Sequence, residues 1–243
     1  MTDRGRAALR TSADALEIGP SAMRWRDGAL EITVDEVSSP PLVSRMRGTI
    51  TLTPQMALTG VELPLSPDGA HVWRPFAPMA RIAVDLEAPG WQWTGKGYFD
   101  ANFGTRALEA DFDAWTWACY RQGDGATAIY DVTPREGASY ARAIRFEADG
   151  SARLTDAPPV TPFRRSLWAV RRETRADPGT TPRQALAMLD APFYCRSAVT
   201  TTLDGEVTTG IHEALDLRRF RSPLLKPMLA VRVPRRSGWR FPE

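Results

Sequence analysis

Five Asp-Gly pairs punctuate the chain, at Asp27-Gly28, Asp68-Gly69, Asp124-Gly125, Asp149-Gly150 and Asp204-Gly205. Asp-Gly tolerates the positive φ that tight hairpin turns demand, so the pairs mark a β-rich chain. Between them run segments of period two: Ile82, Val84 and Leu86 alternate with Ala83, Asp85 and Glu87, and Ile50 and Leu52 with Thr49, Thr51 and Thr53. Such alternation places one set of side chains on a core face. Further strands are expected over 30–34, 126–132, 141–146, 166–172, 197–203 and 206–212, a spacing typical of a sandwich or barrel. One short helix is expected to open at Thr181-Pro182, where Thr can cap and Pro suits the first turn. It would run through Ala185, Leu186 and Leu189 and stop before Pro192.

The 243 residues suffice for one large or two small domains, and 43% hydrophobic with 25% charged residues exclude a wholly disordered chain. A net charge of +2 gives no global field toward nucleic acid. The opening MTDRGRAALRTSADAL is charged and has no apolar h-region, so it is no secretory signal and a cytoplasmic location is expected. The most apolar run, PLLKPMLAV, is broken by Lys226 and Pro227 and is too short to span a bilayer. Cys119 and Cys195 lie far apart without metal-knuckle spacing and read as reduced thiols.

The stretch 71–117 holds one of the two histidines and five of the eight tryptophans, which points to an aromatic pocket. It contains HVWRPFAP (71–78), WQWTGKGYFDANFG (91–104) and DFDAWTW (111–117). On spacing alone the plainer reading holds, with aromatic rings filling a barrel core and His71 satisfied within it.

These motifs resemble the carotenoid 1,2-hydratase family, also called hydroxyneurosporene synthases. The resemblance extends through MTDRGRAAL, AIRF (143–146), SLWAVRRETRADPG (166–179), DAPFYCRS (190–197) and HEALDLRRFRSPLLKPMLAVRVPRR (212–236). It implies an all-β fold of two lipocalin-like antiparallel β-barrel halves, over residues 1–111 and 112–243, with the catalytic motifs in the first half. Members of the family usually carry a further segment before MTDRGRAAL, so the first half is expected to be N-terminally incomplete and to expose a strand edge. The implied activity adds water across the terminal C1–C2 double bond of an acyclic carotenoid of the neurosporene or lycopene type, without cofactor or metal. It belongs to carotenoid biosynthesis in photosynthetic bacteria. The family's His-x-Trp and Tyr-x-Asp pairs fall on His71, Trp73, Tyr98 and Asp100, the implied catalytic residues. Trp91, Trp93, Asn102 and Phe103 are the implied substrate-binding residues.

The chemistry suits these side chains. Markovnikov hydration of a trisubstituted alkene needs a proton at C2 and water at the tertiary C1. A carboxyl can deliver that proton if burial in an apolar channel keeps it protonated, which makes Asp100 the candidate acid. The face of Trp73 could stabilise the carbocation, His71 could orient or deprotonate the water, and Tyr98 could steady the carboxyl from the same strand face.

Other motifs carry less. His212-Glu213 lacks the second His of a metalloprotease helix and reads as structural, and Gly95-Lys96-Gly97 lacks the rest of a dinucleotide fingerprint. From residue 218 to 243 there are eight basic residues and one acidic residue, with Trp239 and Phe241 near the end. This segment reads equally as solvated surface or as peripheral contact with an anionic membrane. A lipocalin-like carrier of an apolar ligand, or an isomerase or cyclase, are the competing functions. A carrier has little reason to place His71 and Asp100 in its cavity.

Overall fold

The computed structural model describes residues 5–38 and 43–225. Antiparallel strands dominate. The first sheet holds β1 (Leu9–Thr11), β2 (Ala15–Ile18), β3 (Ser21–Arg26), β4 (Ala29–Val37), β5 (Arg45–Pro54), β6 (Leu63–Pro64), β7 (His71–Ala88) and β8 (Trp91–Gly104). Its order is β1-β2-β3-β4-β5-β7-β6, with β8 also paired to β7. The helix α1 (Leu108–Asp111) then leads into the second sheet. That part of the chain comprises β9 (Phe112–Gln122), β10 (Gly125–Pro134), β11 (Tyr140–Phe146), β12 (Ala152–Thr155), the ribbon strands β13 (Val160–Thr161) and β14 (Thr174–Arg175), β15 (Arg183–Asp190), β16 (Tyr194–Leu203), β17 (Glu206–Asp216) and α2 (Leu217–Phe220). The second sheet is ordered β12-β11-β10-β9-β17-β16-β15.

The hairpins follow from turn chemistry. Asp27 and Gly28 (φ 50° and 75°) join β3 to β4, and Asp204 and Gly205 (φ 53° and 78°) join β16 to β17. Two successive positive φ values match the right-handed strand twist, as a type I′ turn requires. At the third hairpin the turn falls one residue earlier than expected, on Gly123-Asp124, with Gly123 at φ 54° and Gly125 already in β10.

By packing, the described residues form two compact units. One takes in residues up to 58 together with 79–99, and the other 59–78 together with those from 100 onward. The second sheet starts at Phe112, but its unit also includes 59–78 and 100–111.

Register assigns the two faces of the second sheet. Trp117 of β9 stands opposite Tyr130 of β10 and Glu213 of β17, and Glu213 stands opposite Arg196 of β16. Directly opposed residues share a face, so these four side chains project together. On the other face Tyr120, Ala118, Ile129, Ala143 and Leu203 form a buried cluster. The segment between β12 and β15 covers that face. Val170 packs with Cys195 and Ala214, Arg172 donates to Ser197 Oγ at 2.8 Å, and Arg175 pairs with Asp131 at 2.6 Å.

Two expected elements differ. Residues 166–172 form no strand: Ser166 anchors a turn through Ala169 N–H and Val170 N–H, and Arg172 turns inward to Arg164 O and Ser197. The expected helix from Thr181-Pro182 is instead the edge strand β15, paired to β16 from Arg183 to Asp190. Exposed Arg183, Ala185 and Ala187 alternate with half-buried Gln184, Leu186 and Met188, so the ladder of β16 overrides helix propensity. The short helices lie elsewhere, at α1 and α2, the latter capped by Asp216 accepting from Arg219 N–H at 3.0 Å.

Candidate active site

β7 begins in the second unit with alternating burial, so His71 and Trp73 turn to one side, 2% and 1% exposed. The Trp73 indole N–H donates to Asp100 Oδ2 at 2.7 Å. Around this pair runs a row of rings: His71 on Phe112 (4.9 Å), Phe112 on Trp115 (6.0 Å), Trp115 on Tyr130 (6.2 Å) and Tyr130 on Trp73 (5.1 Å). Phe146 closes on Trp73 at 6.4 Å. Each tilted or edge-on pair adds roughly 0.5 to 1.5 kcal/mol beyond its buried area, so the row is a rigid wall. Asn102, two residues after Asp100, accepts the Tyr130 hydroxyl proton at 3.2 Å. Burial pushes that hydroxyl far above its usual range, so Tyr130 stays a neutral donor.

His71 is held by a closed circuit of hydrogen bonds. Its Nε2–H donates to Asp111 Oδ2 at 2.6 Å, and Arg106 Nε donates to the same oxygen at 2.9 Å. The other arm of Arg106 reaches Asp68 Oδ2 at 2.7 Å. Asp68 Oδ1 accepts from Ser66 Oγ at 2.8 Å, and Ser66 Oγ accepts the His71 backbone N–H at 3.1 Å. Arg106 first, then His71, hold the Asp111 carboxyl below its ordinary range, and Ser66 and Arg106 do the same for Asp68, so both carboxyls of the circuit are anions. Gly104 makes room for the ring, because a Cβ there would stand 2.7 Å from Ala70 O and 2.8 Å from His71 Nδ1.

Of the expected site residues, His71, Trp73, Asp100 and Asn102 therefore lie together in the second unit. Tyr98, Trp91 and Trp93 belong to the first unit. Along β8, alternation puts Tyr98 on the face of Asp100 and Trp91, Trp93 and Phe103 on the opposite one. Trp93 and Phe103 are 40% and 51% exposed. Sequence reasoning passed over Asp111, Arg106 and Tyr130. Asp111 opens the DFDAWTW motif, and its acidic residue directly before an aromatic run was the available signal. Among the described residues no group of three or more His, Cys, Asp and Glu is placed to hold a metal ion. Cys119 and Cys195 are free thiols, and burial pushes Cys119 up to about 12, which makes it inert.

A half-buried carboxyl steadied by an indole among edge-on aromatic rings suits proton transfer to an apolar molecule. The class so defined is a lipocalin-like β-protein with a carboxyl, an imidazole and a row of aromatic rings gathered in one unit, and comparison with known proteins agrees on the fold. An AttH protein of Nitrosomonas europaea has the same fold, with a TM-score of 0.61 at 17% identity over 87% of this chain and 72% of that one. The family model described as carotenoid hydratase CrtC matches residues 1–242. The acyclic carotenoid 1,2-hydratase of Cereibacter sphaeroides is 61% identical over 99% of this chain and 86% of its own length. That of Rhodobacter capsulatus is 53% identical over 100% and 86%. The relative from Thiocapsa roseopersicina is 42% identical over 98% and 58%. The chain belongs to the carotenoid hydratase family CrtC.

Proposed function

We propose that the chain hydrates the terminal C1–C2 double bond of acyclic carotenoids, of the neurosporene or lycopene type, to 1-hydroxy carotenoids. The observation that carries this reading is the Trp73–Asp100 hydrogen bond inside the aromatic row. A neutral carboxyl can accept the indole N–H on Oδ2 while Oδ1 carries the proton delivered to C2. The tertiary cation at C1 then meets π-faces rather than bulk water, and water adds to it. His71, fixed by Asp111, orients that water, and Tyr98, two residues before Asp100 on β8, is the further catalytic candidate. Trp91, Trp93, Asn102 and Phe103 are the substrate-binding candidates. The chemistry needs neither nucleotide nor redox group nor metal.

A substrate dissolved in lipid has to be collected there, and the basic segment 218–243 with Trp239 and Phe241 supports contact with anionic headgroups. Most of that segment, residues 226–243, lies outside the described residues. Among the described residues no helix is long and apolar enough to cross a membrane.

Asp100→Asn tests the reading. It keeps size and removes the acidic proton, so turnover of an acyclic carotene should fall by about a hundredfold to ten-thousandfold with carotenoid binding retained. Normal folding, binding and near wild-type turnover would show that Asp100 is not the acid.

A further inference from the structure

Hydration needs two proton movements, one onto C2 and one off the attacking water, and Asp100 accounts for the first. We infer that Glu213 is the second carboxyl of the catalytic centre and accepts the proton from the water that attacks C1. This deepens the hydratase reading above and rests on it.

Placement comes from the ladder. Glu213 of β17 stands opposite Trp117 of β9, which stands opposite Tyr130 of β10, and the Tyr130 ring packs on Trp73, the donor to Asp100. Glu213 and Asp100 thus flank one row of aromatic side chains on one sheet face. The other face is sealed by the segment between β12 and β15, so His212, the neighbour of Glu213, points into packing while Glu213 points toward the site. The side chain of Glu213 is 24% exposed, its Oε1 lies 3.3 Å from Arg196 Nε, and the Tyr194 hydroxyl donates to it. A fixed, half-buried carboxylate with a cation on one side and a hydroxyl on the other is built to stay oriented.

Burial raises the carboxyl above its usual range, while Arg196 and Tyr194 act the other way; a charge on Asp100 raises it further only once Asp100 has given up its proton, when Glu213 has to accept one. The net rise makes the carboxylate a stronger proton acceptor than a solvated one. Two carboxyls that sense each other share a site best with one proton between them. The step then balances. Asp100 O–H gives its proton to C2, water forms the C1–O bond, Glu213 takes a proton from that water, and exchange with solvent returns the pair to its starting state.

The test runs wild type, Asp100→Asn, Glu213→Gln and Glu213→Asp with an acyclic carotene in D2O. It follows 1-hydroxy product, deuterium in recovered substrate, and binding by the shift of the polyene absorption. Glu213→Gln should bind substrate, lose about a hundredfold or more in turnover, and still place deuterium at C2 of recovered substrate, because the cation forms and reverts. Asp100→Asn should bind substrate but neither turn it over nor place deuterium at C2, and Glu213→Asp should recover part of the turnover. If Glu213→Gln turns over near the wild-type rate, or loses binding, exchange and turnover together, Glu213 is not the base. A wild-type chain that binds the carotene and forms no tertiary alcohol would instead overturn the hydratase reading, and this inference with it.

Discussion

The indole nitrogen of Trp73 and Oδ2 of Asp100 lie 2.7 Å apart, although 27 residues separate them in the chain. β7 supplies the donor and β8 the acceptor, so the bond fixes the end of one long strand against the end of the other. Trp73 therefore holds Asp100 through its N–H and packs on Tyr130 through its ring.

Trp73→Phe separates the two contributions. Phenylalanine keeps an aromatic face for the cation and for Tyr130 but leaves Asp100 Oδ2 without its donor. A hydrogen bond between uncharged groups is worth about 0.5 to 1.5 kcal/mol, so turnover should fall roughly twofold to tenfold, less than in Asp100→Asn. Steady-state rates with both variants check this. A Trp73→Phe enzyme as inactive as Asp100→Asn would show that the indole does more than hold the carboxyl.

Much of this fold is legible in the sequence because turn chemistry and alternation are local. Asp27-Gly28 and Asp204-Gly205 declare their hairpins, and β4, β10, β11, β16 and β17 each contain an expected strand. What fails is what neighbours decide. Ala185, Leu186 and Leu189 favour helix by propensity, but the edge of β16 offers an antiparallel ladder, and residues 166–172 alternate like a strand yet serve as a covering segment. The site divides the same way. The spacing of His71 with Trp73 and of Tyr98 with Asp100 is visible in sequence. Asp111 lies 40 residues from His71, and Glu213 faces the site only through the register of β17 on β9.

The circuit around His71 predicts a positioning role for Asp111. Asp111→Asn removes the anion that Arg106 and His71 share, so the ring loses its fixed orientation while every catalytic side chain remains. Misplacement of about 1 Å at a reacting group costs on the order of a hundredfold, and turnover should fall by about that much with little change in carotenoid binding. Arg106→Lys, which keeps the charge but not the two-armed geometry, should fall between the variant and the wild type. Unchanged kcat in Asp111→Asn would reduce the circuit to scaffolding.

His212 should make the fold acid-sensitive. Its ring is 2% exposed with Nε2–H donating to Glu173 O at 3.0 Å, and burial, aided by the charge of Arg172, pulls it down from 6.5 to about 4. Above about pH 6.5 the ring is neutral whether the chain is folded or not, so this contribution to stability is fully present. Between that value and about 4 the unfolded chain takes up a proton that the folded chain refuses, and stability falls as pH falls. A tenfold difference in proton affinity is worth about 1.4 kcal/mol, so roughly 3 kcal/mol is at stake across the window. The paired carboxylates Asp68, Asp111 and Asp113 are held below their usual range, so they withdraw stability only at more acid pH. Glu213 is shifted upward and slopes the opposite way, adding stability as pH falls. A direct comparison cancels both. His212→Gln keeps a donor for Glu173 O and has no charge to gain, so its urea midpoint should lose less than that of the wild type between pH 6.5 and 4. Parallel midpoint curves for the two proteins over that range would mean that His212 is protonated in the fold as readily as in the unfolded chain.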